Sequence, residues 1–446
     1  MAQLNFRSYA RTLVLSPLFL AGSLQAQQPA DAIDGRWDAV LTSHGVQVSF
    51  RLDISGSGPS LKGTLYNGFD PYDGTTSATF DDGKLVLHIE HYLTTITATL
   101  KDGALNGSVV TISKATANES PFQATRHVES PAAPENAPSI AGSWIIPLDS
   151  PNAKGEKAVR FIVQQRGDEV AASILRVDGD TGAYSGTYKD GKWLLSHYDG
   201  SRPGVIEVTP APDGTLVILP NAGRPKAVSQ APADGHPASG DTRLTAYRAE
   251  VARAKGLPEP ENYDTHTTAR DPGEKFQFNF PDADGKLVSN DDPRFKGKVV
   301  LAVVTGTWCP NCHDEAQYLV QLDKKYRSRG LAIVALDFEE PEQQNSLERQ
   351  RAFVKKYGVD YTYLIAGAPS ELAEKVPQLA NLNTWPATVF IGRDGYVRAV
   401  HAGFASPAAA QFHRQLQEEF ASKIEHLLAE KPDQASIAGS DSKPGR

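Results

Sequence analysis

Sulfur is scarce in this chain of 446 residues, which has two cysteines and one methionine. Two cysteines separated by two residues cannot build the disulfide framework of a small secreted scaffold, and a crosslink closing so short a loop would add little stability. The single methionine is Met1, inside an N-terminal segment expected to be removed, so a His/Met-ligated haem has no methionine to use. The formal net charge of −8 argues against nucleic acid or an anionic membrane as the main partner. Beyond the N-terminus, no apolar run is long enough to span a bilayer. Histidines at metal-ligand spacing are also missing. His88 and His91, three apart in a segment that reads as a strand, are expected on opposite faces, and His44 and His197 stand alone. No metal site and no cofactor is expected.

What is present begins with a targeting signal. Arg7 and Arg11 precede the apolar run Leu13–Leu20, and small residues lead to Leu24-Gln25-Ala26. That is the pattern of a secretory signal peptide over residues 1–26, with an apolar core too short to cross a membrane. The expected location is a bacterial periplasm.

The length calls for more than one core. Residues 31–128 alternate apolar and polar in "VQVSFRLDI", "KLVLHIEHY" and "TTITATL", with Asp82-Gly83 and Asp102-Gly103 as hairpin turns. A Pro-rich linker covers 129–139, and the pattern then restarts over 140–240. Gly35-Arg36-Trp37 is echoed by Gly142-Ser143-Trp144, Asp82-Gly83-Lys84-Leu85 by Asp190-Gly191-Lys192-Trp193, and Asp102-Gly103 by Asp213-Gly214. Landmarks recurring in order predict two copies of one antiparallel β-unit, a sandwich or a small barrel. Gly-x-Trp at the head of such a unit resembles lipocalin-like barrels. Trp37, Trp144 and Trp193 are expected in the cores.

Residues 241–272 read as a helix, "LTAYRAEVARAKG", and a polar linker. From 273 to 431 strands and helices alternate: a hairpin around Asp284-Gly285, the apolar strand "KVVLAVVTGTW", a helix ending at Gly330, the strand "LAIVALDF", two more helices around "YTYLIA", a hairpin at Asp394-Gly395 and a closing helix. A disordered tail is expected over 432–446. The predicted fold class is therefore multidomain, with two antiparallel β-units followed by an α/β thioredoxin-like domain.

Both cysteines lie in Cys309-Pro310-Asn311-Cys312-His313, where the apolar strand meets its helix. Taken alone, C-x-x-C-H suits a c-type haem and C-x-x-C suits a redox dithiol. The α/β order favours the dithiol. At a helix N-terminus Cys309 meets the positive end of the dipole, which favours a thiolate, and Cys312 lies one turn on. Pro310 suits the first helical turn. His313 is expected at the surface of that turn.

Four features carry a family resemblance: Trp308-Cys309-Pro310-Asn311-Cys312 after a strand, Glu315 three residues past the second cysteine, an added helix and strand between Glu339 and Ala366, and Trp385-Pro386-Ala387-Thr388 before the last hairpin. From Glu274 to about Ala429 the chain resembles the TlpA/ResA-like thiol–disulfide oxidoreductases. The resemblance implies a disulfide reductase with Cys309 and Cys312 as the redox pair and Glu315 as proton acceptor for the resolving thiol. It also implies a cis-proline loop at Trp385-Pro386, with Trp308, Pro310, Trp385 and Pro386 facing substrate. Ala316-Gln317 stand where the family often has a proline. Implied partners are oxidised exported proteins, such as apocytochromes, and a membrane thiol donor of the DsbD/CcdA kind. Two other readings are a thioredoxin-fold peroxidase, which would want Thr or Ser where Gly306 stands, and a non-enzymatic copper-handling or haem-binding protein.

Overall fold

The computed structural model describes residues 33–128, 137–223, 243–344 and 346–430. The segments expected to be a signal peptide and a disordered tail, and most of the Pro-rich linker, lie outside these residues. Among the described residues, no helix is long and apolar enough to cross a membrane.

Residues 35–126 form one nine-stranded antiparallel sheet, two meanders joined where the first strand pairs with the last. Gly35–Ser43 pairs with Val46–Ser55 on one side and Thr116–Arg126 on the other, and the edge strands are Asp70–Gly74 and Ser77–Asp81. This is a half-barrel. Its tight hairpins use Asp82-Gly83 and Asp102-Gly103, where all four residues have positive φ (46°, 74°, 52° and 77°), as the twist-matched two-residue turn requires. The second sheet, also nine-stranded, closes on itself. Gly142–Pro147 pairs with Ala158–Arg166 and with Leu244–Arg248, and Ala158–Arg166 continues to Glu169–Arg176. A two-residue strand, Gly179–Asp180, hangs from the end of Glu169–Arg176.

Each sheet is plugged in the same way. The Trp37 indole N–H donates to the Ile33 carbonyl (3.1 Å) under the Arg126 guanidinium, 4.1 Å from the ring centre. Trp144 donates to the Ile140 carbonyl (2.9 Å) under Arg248, at 3.9 Å. A cation over a desolvated indole face adds a favourable term to the burial of the ring. Both tryptophans are buried, as is Trp193.

The segment read as a helix from Leu244 requires a correction. Leu244–Arg248 is a strand, and only Ala249–Ala254 is helical. The second β-unit needs that strand to close, and ladder hydrogen bonds to Gly142–Pro147 and Leu216–Pro220 outweigh local helix propensity. The second of the two helices expected around "YTYLIA", over "SELAEKVPQLANL", is likewise reduced to a short turn and Leu372–Lys375. Pro377 stops it, and Leu379–Ala380 instead pairs with Thr268–Ala269 of the preceding linker.

The last third is a five-stranded sheet in the order Thr362–Gly367, Leu331–Phe338, Val299–Thr305, Ala387–Ile391, Val397–Ala402. The first three are parallel and the last two antiparallel. Helices Pro310–Tyr326 and Gln411–Ala429 cover one face, so every residue of Val299–Thr305 is buried. Val299, Leu301 and Val303 pack under these helices, while Val300, Ala302 and Val304 join Phe276, Phe278 and Leu336 opposite. The three bodies are continuous. Ile162 and Leu175 from the closed sheet pack into the helix-covered core, and Tyr198 and Val205 pack into that of the half-barrel.

Candidate functional site

Cys309 is the N-cap of Pro310–Tyr326, with extended backbone (φ −96°, ψ 112°) and Pro310 as the first helical residue. Its sulfur accepts the Cys312 N–H at 3.3 Å and donates to the Trp385 carbonyl oxygen at 3.5 Å. Both cysteines are free thiols. Cys309 is 4% exposed and Cys312 1%. Burial, and then Cys309 beside it, push the Cys312 thiol well above the usual range. One thiol thus sits at the mouth of the helix and the other behind it.

The turn before Cys309 is held from below. Trp308 folds back so that its indole N–H donates to the Phe338 carbonyl at 2.9 Å, and its ring meets Trp385 edge-on at 5.2 Å. Gly306 makes room for this, since a Cβ there would lie 2.4 Å from the Trp308 indole nitrogen. The Thr307 N–H donates to Glu339 Oε1 (3.0 Å) and its hydroxyl donates to the same carboxylate. Arg349 completes the cluster with Nε to the Thr307 hydroxyl and Nη2 to Glu339 Oε2, both at 2.9 Å. Glu339 and Arg349 are both buried. Neither was singled out in the sequence, although acidic residues directly after a buried parallel strand mark the sheet end at which such α/β sites form.

His313 corrects the expectation of a surface position. It is fully buried, with Nε2 2.7 Å from the Thr307 carbonyl and Nδ1 2.9 Å from the Tyr357 hydroxyl. Its ring packs on Tyr92 (4.4 Å) and Phe353 (4.7 Å). Both ring nitrogens are engaged, which is not the disposition of an axial haem ligand. His91 departs from its expected strand, lying in the short helical turn Glu90–Tyr92, fully buried beside His313 at 5.5 Å. The half-barrel therefore reaches the helix Pro310–Tyr326, which no local pattern announced.

Glu315 is buried on that helix and accepts the Thr388 hydroxyl at 2.5 Å, while Oε2 has no hydrogen-bond partner. Burial raises its carboxyl to about 8. Its hydrogen bond goes to Thr388 and not to either sulfur. Asp314, one residue earlier, is also buried and raised to about 8, by burial first and then by Asp180. It accepts the Tyr72 hydroxyl from the half-barrel. A third buried acid, Asp337, lies in register with Thr305 on the adjacent strand, and burial followed by Glu339 pushes it well above the carboxylate range.

Trp385-Pro386 is a cis peptide unit, with Pro386 buried and Trp385 half-buried beside Trp308. Trp308, Pro310, Trp385 and Pro386 surround the Cys309 turn. Away from it, Asp264, His401 and Glu419 each place a potential ligand atom within 4.8 Å of the others. The Lys423 ammonium lies 2.8 Å from Asp264 and already supplies the cation there.

Residues 271–416 match the Redoxin family. The thiol-disulfide oxidoreductase ResA of Bacillus anthracis is 30% identical over 120 residues, 27% of this chain and 62% of that protein. ResA of Bacillus subtilis (strain 168) is 29% identical over 126 residues, 28% of this chain and 64% of that protein. The chain thus spans less than two thirds of the length of these curated relatives. Among solved structures, a putative thiol:disulfide interchange protein DsbE from Chlorobium tepidum is 21% identical, covering 35% of this chain and 99% of that one with a TM-score of 0.28. A secreted Mycobacterium tuberculosis disulfide oxidoreductase homologous to E. coli DsbE is 22% identical, covering 34% of this chain and 96% of that one with a TM-score of 0.26.

Proposed function

We propose that this chain, whose residues 271–416 are a Redoxin domain, is an exported thiol–disulfide oxidoreductase acting as a disulfide reductase. The observation that carries the reading is the pairing of Cys309 at the helix N-cap with Cys312 one turn behind it, the Cys312 N–H directed at the Cys309 sulfur at 3.3 Å. A helix N-terminus favours the anionic form of a sulfur placed on it.

In the reductive direction the Cys309 thiolate attacks one sulfur of a substrate disulfide. A mixed disulfide forms, and the first substrate thiolate leaves. Cys312 gives up its proton and attacks the Cys309 sulfur, releasing the second substrate thiolate. Two electrons pass to the substrate, and the pair is left as the Cys309–Cys312 disulfide. Glu315, in its carboxylate form, is the proposed acceptor of the Cys312 proton. A carboxyl raised to about 8 by burial is closer to a thiol in proton affinity than an exposed glutamate is. Trp308, Pro310, Trp385 and Pro386 form the surface met by substrate. The oxidised pair would be reduced again by a membrane thiol donor of the DsbD/CcdA kind, and the substrates would be oxidised exported proteins. The N-terminal signal pattern supports periplasmic export. The two β-units are read as copies of one unit on their matching Trp–Arg plugs, and as a module that meets partners. The peroxidase reading is disfavoured at Gly306, where a side chain would collide with the Trp308 indole.

The test is the equilibrium reduction potential of the pair in a thiol buffer. A value near or below about −270 mV supports the reductase, whereas one near about −120 mV reverses the direction of electron flow.

A further inference from the structure

Three chain segments line the site around Cys309. They are the Cys309–Cys312 turn, the Trp385–Pro386 segment whose Trp385 carbonyl lies 3.5 Å from the Cys309 sulfur, and Gly403, whose N–H donates to the Pro386 carbonyl at 2.8 Å. A disulfide carried on a polypeptide must lie across these segments, and an extended strand held by main-chain hydrogen bonds is a common way for a chain to do so. On one flank Trp308 and Trp385 form the wall.

The other flank is filled by the closed β-sheet of this same chain, at the turn Val177–Asp180. The two backbones approach closely. A Cβ on Gly403 would lie 2.3 Å from the Val177 oxygen, and one on Gly179 would lie 2.4 Å from Asn311 Nδ2 and 2.6 Å from the Phe404 oxygen. The turn is also fastened. Asn311 Nδ2 donates to the Asp178 carbonyl at 3.1 Å. The Asp180 carboxylate accepts the Ser406 N–H at 2.6 Å and its hydroxyl at 2.9 Å, with both residues buried. Arg202 reaches the Asp180 carbonyl (3.3 Å) and Asn311 Oδ1 (3.4 Å) while paired to buried Asp199 at 2.7 Å. Both Asn311, between the cysteines, and the loop flanking Pro386 are therefore gripped from outside residues 271–416.

We propose that the Val177–Asp180 turn is a specificity-determining element of the dithiol. It occupies the Asn311–Gly403 flank where a polypeptide strand would lie, and so confines unassisted exchange to disulfides of small thiols. A protein disulfide reaches Cys309 only when the turn is lifted, and exported protein substrates would have to engage the β-units to lift it. This rests on the oxidoreductase reading and adds the class of disulfide that the resting site accepts.

The experiment compares the full-length reduced protein with Asp180→Ala, which unties Ser406, and Gly179→Ala, which wedges the turn off Asn311. Oxidation is followed with glutathione disulfide as the small probe and insulin as the protein probe. Each variant should gain about tenfold or more on insulin and change by less than about twofold on glutathione disulfide, a loss of discrimination readable as a ratio of second-order rates. A folded variant with no gain on insulin overturns the proposal, as does a wild type that already reduces both probes equally fast. Should one variant not fold, the other carries the test, and the wild type alone gives a further reading. Its Cys309 should be alkylated by N-ethylmaleimide far faster than by a polymer-linked maleimide, and equal rates would sink the idea. If no form reacts with either disulfide, the oxidoreductase reading itself falls.

Discussion

The Arg349 guanidinium lies 2.9 Å from the Glu339 carboxylate, both buried, and each also binds Thr307, two residues before Cys309. Removing one member of a buried pair strands the other charge. Arg349→Ala should therefore destabilise the protein by about 3–5 kcal/mol in urea unfolding. Because Thr307 leads into Trp308-Cys309, the alkylation rate of Cys309 should shift as well. Arg349→Lys keeps the charge but loses the planar fork that serves Thr307, Glu339 and Glu340 together, so it should recover only part of the loss. Unchanged unfolding in Arg349→Ala would remove the cluster from any role in holding the turn.

Tyr72 of the half-barrel donates its hydroxyl hydrogen to Asp314 on the helix Pro310–Tyr326, and the other Asp314 oxygen has no hydrogen-bond partner. Tyr72→Phe leaves that buried carboxyl with still less compensation. The expected cost is about 1–3 kcal/mol, measured as a lower urea midpoint. A midpoint within error of wild type would show that the contact does not hold the half-barrel to the helix.

Stability should fall as pH rises from about 4.5 to about 8. Asp314 and Glu315 move up from ordinary values of 3.8 and 4.5 to about 8 in the folded protein, chiefly through burial. Between those limits the folded state keeps protons that the unfolded chain has released, so raising the pH favours unfolding. Each group contributes a slope of up to about 1.4 kcal/mol per pH unit. Asp314→Asn and Glu315→Gln should each flatten the dependence of the urea midpoint on pH in this window. A steeper slope in either variant would contradict the sign.

Glu315→Gln should slow resolution of the mixed disulfide by about a hundredfold while leaving the first attack by Cys309 little changed, because it removes a proton acceptor from the second step only. Cys312→Ser should trap the mixed disulfide outright, visible by mass. Rapid quench separates the two steps, and in wild type the resolution rate should rise with pH through about 8, where Glu315 becomes a carboxylate. Resolution at the wild-type rate in Glu315→Gln would remove the residue from the proton path.

Much of the architecture was written locally. The Cys309–Cys312 spacing, the apolar run Val299–Thr305, the Asp-Gly hairpins and the Gly-x-Trp heads are short-range patterns, and each fixes the geometry of a few adjacent residues. Such patterns misled where long-range pairing overrode propensity. Leu244–Arg248 became a strand because the second sheet lacked one, and His313 went inside because Tyr92 and Phe353 come from elements far off in the chain to cover it.

The sequence by itself determined the dithiol, its place at a helix N-terminus and the thioredoxin-like order of strands and helices, since periodicity and spacing are properties of neighbouring residues. Only the tertiary structure decided what surrounds that dithiol. The Glu339–Arg349 support, the Tyr72–Asp314 tie and the Val177–Asp180 turn against Asn311 each join residues from separate elements, two of them across domains. A buried carboxylate or guanidinium needs partners wherever the folded chain brings them, and that proximity is set by how the three sheets pack together.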